Sequence, residues 1–152
     1  MFTKINNLRF INFFILIIST FSANITYLNE DNFDKEMNIS NIWLIEIYSE
    51  KCESCKSFEE SWKQLIKNMD SLNIGRINVD EIKGINLANK LNALENGIPA
   101  IKLIISKDDI ADIMTGVEEP FPNSLTLKKR IDKILEEKGK LQEAKNRANE
   151  EL

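Results

Sequence analysis

The sequence predicts an α/β domain, and three observations carry that expectation. Ile42 to Tyr48 is a nearly continuous apolar run broken only by Glu46, as in a central strand covered on both faces. Immediately after it, Cys55, Phe58, Trp62, Leu65, Ile66 and Met69 fall on one stripe of a helix, more fitting for core than for cofactor contacts. Strand-like and helix-like segments then keep alternating to about Leu135.

Taken in order, Ile25-Thr26-Tyr27-Leu28 reads as a first short strand, and Asp31 to Met37, with Phe33 and Met37 four apart, as a short helix. The Ile42–Tyr48 strand and the long helix follow. Ile77 and Val79 alternate with Arg76, Asn78 and Asp80, which predicts another strand. Leu87, Leu91 and Leu94 mark a helix expected to stop at Asn96-Gly97. Pro99 stands at the very start of an apolar strand, Ala100 to Ile105, where its missing N–H breaks no ladder bond. Ile110 to Gly116 fits a further strand and turn. Ser124 is expected to cap a helix with Leu127, Ile131, Ile134 and Leu135 on one face. From Glu136 the chain is a charged run, expected to be a solvated helix extension or a frayed tail, with residues 139–152 set apart as a charged C-terminal tail.

The amino end has a different character. Lys4 and Arg9 precede the apolar stretch Phe10 to Ile18, and small or polar residues follow to Ala23. That is the layout of a secretory signal peptide over residues 1–23, cleaved after Ser22 or Ala23. The apolar stretch is much shorter than the roughly 20 residues of a membrane span, although an uncleaved signal anchor is the alternative. The remaining chain, 24–138, is long enough for one domain with a real core. Residues 1–23 hold two basic and no acidic residues, so their removal takes the net charge from −4 to −6. A mildly acidic chain with scattered charges offers no footprint for nucleic acid or an anionic membrane. The sequons Asn24-Ile25-Thr26 and Asn38-Ile39-Ser40 permit glycosylation in that compartment. The terminal Asn149-Glu150-Glu151-Leu152 resembles the K-D-E-L type of retrieval signal at its acidic residue and final leucine. The expected location is the lumen of the endoplasmic reticulum, with secretion or anchoring by an uncleaved signal as alternatives.

The chain has only two cysteines, Cys52 and Cys55, three positions apart at a strand-to-helix junction. Thiols at a helix's first turn lie near its unsatisfied N–H groups and positive dipole end, which favour thiolate. A disulfide closing so short a loop adds little stability, which suits redox chemistry better than stapling. A closed zinc site usually needs four Cys or His ligands, and the chain has no histidine, so no intrachain metal site of that kind exists. A metal bridging two chains, or two unrelated buried thiols, remain the other readings of the pair. No cofactor is called for.

Several spaced motifs give the chain a family likeness. Asn32-Phe33-Asp34, the Leu44–Tyr48 strand with its internal acid, Cys52-x-x-Cys55-Lys56, Asn78-Val79-Asp80 and Gly97-Ile98-Pro99-Ala100-Ile101-Lys102 follow one another in order. From about Asn32 to Leu135 the chain resembles the thioredoxin-like superfamily, and most of all a single catalytic domain of the protein disulfide isomerases. The resemblance implies a thioredoxin-like fold, a central mixed β-sheet flanked by helices. It implies that Cys52 is the exposed nucleophile, Cys55 the buried resolving thiol, and Glu46 a buried acid assisting proton transfer to or from Cys55. It also implies that Ile98-Pro99 is a cis-proline loop facing the cysteines and offering backbone to a substrate.

This chain departs from the family around the cysteines, where Lys51, Glu53 and Ser54 stand in place of the usual Trp and Gly-His or Gly-Pro. Glu53 should disfavour a neighbouring thiolate, with Lys51 and Lys56 opposing it. The disulfide is then expected to be less oxidising than in a typical isomerase domain, within a class whose potentials span about 150 mV. The leading expectation is a monomeric thiol–disulfide oxidoreductase or isomerase. Its partners would be proteins with thiols or disulfides in the secretory pathway, and a redox partner. The alternative is a thioredoxin-like binding or chaperone module whose altered pair is redox-sluggish.

Overall fold

A computed structural model describes residues 24–37 and 42–150, with side chains as far as 139. The leader expected over 1–23, the second sequon at 38–40, and Glu151-Leu152 lie outside the described residues. The elements follow in the order β1 (Ile25–Tyr27), α1 (Phe33–Glu36), β2 (Trp43–Tyr48), α2 (Glu53–Ile66), β3 (Asn73–Asn78), α3 (Ile82–Lys90), β4 (Ala100–Ser106), β5 (Asp109–Met114) and α4 (Ser124–Glu150).

The five strands form one mixed sheet in the order β1-β3-β2-β4-β5. β3 pairs parallel with both β1 and β2, whereas β4 pairs antiparallel with β2 and β5. The expected central strand is therefore parallel to only one of its neighbours. All six of its residues are buried, because helices cover both faces. On one face Phe58, Trp62 and Leu65 of α2 and Leu127 and Ile131 of α4 pack against Leu44, Ile74, Ile101 and Leu103. On the other, Phe33 of α1 and Leu87, Ala88 and Leu91 around α3 cover Ile45, Ile47, Ile77 and Ala100. The odd and even residues of β2 thus supply two separate cores, as the period of two requires.

Two helix ends differ from the sequence expectation. α3 stops at Lys90, not at Asn96-Gly97, because Asn92 takes the left-handed conformation at φ 50° and turns the chain there. At the start of α4 the cap is Asn123, whose Oδ1 accepts from Thr126 N–H at 2.9 Å, while Ser124 is already helical. The helix then continues through the charged segment as far as Glu150. Among the described residues, no helix is long and apolar enough to cross a membrane.

Candidate active site

The site lies where β2 runs into α2. Ser49, Glu50 and Lys51 form the link, and Asp80, just beyond β3, holds it. Asp80 accepts from Ser49 Oγ at 2.9 Å and from Glu50 N–H at 2.8 Å, with Lys51 Nζ 3.7 Å away. Its partial burial works to raise its pKa, but these donors and the nearby ammonium outweigh that and hold the carboxyl below its ordinary value.

Cys52 is the N-cap of α2, half-buried, and its Sγ accepts the Cys55 N–H at 3.1 Å. A helix N–H is thus aimed at that sulfur, in a position to support negative charge on it. Cys55, one turn further on, is buried, and both thiols are free. Burial, then the contact with Cys52, pushes the Cys55 thiol up to about 12, and the Glu46 charge adds to the rise.

Opposite the pair, the Ile98–Pro99 peptide is cis, and the Cys52 thiol stands 3.9 Å from the Ile98 carbonyl oxygen. Pro99 is buried and Ile98 half-buried. Two glycines hold this loop against the turn after β5. Gly97 has φ 75°, and a Cβ on Gly116 would stand 2.3 Å from Gly97 C and 2.4 Å from Ile98 N. The structure therefore brings Cys52, Cys55 and the Ile98-Pro99 loop together.

Glu46 lies beneath, fully buried on the α2 face of the sheet. Its register partner on β3 is Arg76, whose Nε stands 2.6 Å from Glu46 Oε2. The pairing is one of charge and proximity. Among the described residues neither Glu46 oxygen has a well-directed hydrogen bond, and Arg76 Nε has no aligned acceptor. Desolvation therefore prevails over the Arg76 charge and pushes the Glu46 carboxyl up to about 7. The Arg76 guanidinium lies 3.9 Å from the centroid of the Tyr48 ring, and its Nη2 also reaches Glu59 Oε2 at 2.8 Å.

The tuning residues form an exposed rim. Lys56 pairs with Glu53 at 2.6 Å, whereas Lys51 Nζ stands 3.7 Å from Asp80. Ser54 is exposed. Sequence reasoning missed Arg76, Glu59 and the clamping role of Asp80. Arg76 had a signal, since it sits opposite Glu46 once β2 and β3 are paired in register. Asp80 stood within a noted motif with no role attached. Glu59 had none, for its exposure and partner depend on the folded helix.

Comparison with known proteins agrees with this arrangement. The thioredoxin family profile matches residues 24–126. Protein disulfide isomerase-like 2-3 of Oryza sativa subsp. japonica is 30% identical over 97 residues, which cover 62% of this chain and 19% of that protein. DnaJ homolog subfamily C member 10 of Rattus norvegicus is 28% identical over 82 residues, 49% of this chain and 10% of that one. The chain thus corresponds to a small part of each of these relatives. The first thioredoxin domain of mouse protein disulfide-isomerase A4 superposes with a TM-score of 0.55 at 20% identity, covering 71% of this chain and 73% of that domain, a likeness of fold. With its profile match, its mixed sheet and its Cys52-x-x-Cys55 pair at the start of α2, the chain belongs to the thioredoxin family, as a single domain similar to those of the protein disulfide isomerases.

Proposed function

We propose that the protein is a thiol–disulfide oxidoreductase or isomerase acting on proteins of the secretory pathway. The observation that supports this most is the asymmetry of the pair: Cys52 is accessible and receives a helix N–H at 3.1 Å, while Cys55 is buried behind it. In the reducing direction, the Cys52 thiolate attacks one sulfur of a substrate disulfide. The substrate S–S bond breaks, a Cys52–substrate mixed disulfide forms, and the other substrate sulfur leaves as thiolate. Cys55 then gives its proton to the Glu46 carboxylate and attacks Cys52 Sγ. The Cys52–Cys55 bond forms, and the substrate is released as a second thiolate, so two electrons pass from the pair to the substrate. Ile98 and Pro99 border the nucleophile, where an extended substrate strand could pair with their backbone.

Cys55→Ser is expected to accumulate mixed disulfides through Cys52 when mixed with a peptide disulfide, and in cells to hold secretory-pathway proteins in that form. Cys52→Ser should form none. Adducts through Cys55 in the Cys52→Ser protein would reverse the assignment. One observation favours the second reading, a redox-sluggish binding or chaperone module: the resolving thiol is pushed up to about 12. A Cys52–Cys55 bond that dithiothreitol opens reversibly at ordinary potentials decides against it.

A further inference from the structure

Arg76 is shared between two carboxyl groups. Its Nε faces Glu46, its Nη2 faces Glu59 on α2, and its plane is held against Tyr48. Glu59 lies one helical turn beyond Cys55 and is part-exposed, with Lys63 Nζ 3.4 Å away on its outer side. Cys55, Tyr48, Arg76 and Glu59 all line one solvent-open cleft of about 370 Å³. Arg76 and Glu59 therefore stand between solvent and the buried carboxyl.

We infer that Glu59 is a positioning residue for the resolving step: by holding a share of Arg76, it sets how readily Glu46 accepts the proton of Cys55. The inference rests on the reading of Cys55 and Glu46 proposed above. Glu46 must be ionised to take the proton, and a carboxylate is ionised more easily the more of a neighbouring cation it commands. Glu59 takes part of Arg76 and adds a like charge close by, and both effects keep Glu46 protonated to higher pH. The charge of Glu59 is among the causes that raise the Glu46 carboxyl, after desolvation and against Arg76.

The charges that act directly on Glu46 are Arg76 and Glu59; Lys63 meets Glu59 at 3.4 Å, and Tyr27, Glu50 and Lys56 line the same cleft. On β2 the titratable neighbour is Tyr48, and on α2 the neighbours are Cys55 and Glu59. β4 faces Glu46 with Ile101, while Lys102 sits in register with Ile45 on the opposite face and pairs with Asp112 at 2.7 Å. α4 brings Leu127 and Ile131 to this face.

The test follows the decay of the Cys52–glutathione mixed disulfide. Reduced full-length protein is mixed with saturating glutathione disulfide, quenched in acid at set times between pH 5 and 8.5, and read by mass spectrometry. In this decay Cys55 loses its proton to Glu46 and attacks Cys52, and glutathione leaves as thiolate. The wild-type rate should rise through a limb near the pH at which Glu46 ionises. Glu59→Gln should move that limb to lower pH, raising the rate at pH 6 by about three- to fivefold. Glu59→Asp should return it toward wild type, and Glu46→Gln should abolish it. A limb lost in Glu46→Gln but unmoved in Glu59→Gln overturns the inference and leaves the proton role of Glu46 standing. A limb that survives Glu46→Gln overturns both.

Discussion

At the scale of single residues, the buried acid is the most unusual group in the molecule. Glu46 has no exposure, and burial, with Arg76 shared with Glu59, pushes its carboxyl up to about 7, against 4.5 for the free side chain. The sign of the consequence follows from linkage. Between pH 4.5 and 7 the unfolded chain has released this proton and the folded chain has not, so the unfolded state binds fewer protons and stability falls as pH rises. The loss approaches about 3 kcal/mol and flattens above pH 7. Glu46→Gln should lack this decline. Urea unfolding of both proteins at several pH values measures it, and parallel stability–pH curves would show that Glu46 is ionised well below neutrality.

Between elements, the site depends on a contact that no helix or strand makes alone. The Ile98-Pro99 loop is set beside Cys52 because the turn after β5 presses against it with no side chain between, at Gly116. Gly116→Ala would place a methyl group 2.3 Å from backbone that cannot yield like a flexible side chain. It is expected to cost about 1–3 kcal/mol and to slow attack by Cys52 on a peptide disulfide. Stopped-flow rates alongside urea midpoints separate the two effects. A stable variant with an unchanged rate would mean that the loop's position does not govern attack. The Asp80 contacts with Ser49 and Glu50, made from just beyond β3, likewise tie the β2–α2 link to a segment distant in sequence.

Over the whole molecule, one sheet divides two cores, and Glu46 and α2 belong to the α2–α4 side. Trp62 is fully buried there, between the helix that carries the cysteines and the sheet that carries Glu46. Trp62→Ala is expected to cost about 3–5 kcal/mol, read from the urea midpoint of the reduced protein. A loss below about 1 kcal/mol would show that the helix is anchored elsewhere.

The alternation of periods determined which segments are strands and which are helices, because burial on one or two faces imposes a period of two or 3.6 on any sequence. The two cysteines stood out as a rare residue type at an element junction, Glu46 as an acid inside an apolar strand and Pro99 at a strand start, while the roles of Glu46 and Pro99 came from the family resemblance. Helix ends were less legible. Asn92 and Asn123 act through a backbone angle and a cap that several nearby residues could have supplied equally well. Only the tertiary structure decided that Arg76 faces both Glu46 and Glu59, that Lys51 turns to Asp80, and that Gly116 closes on the Pro99 loop. Those pairings join residues distant in sequence. Strand register and helix docking choose them, and local patterning carries no record of either.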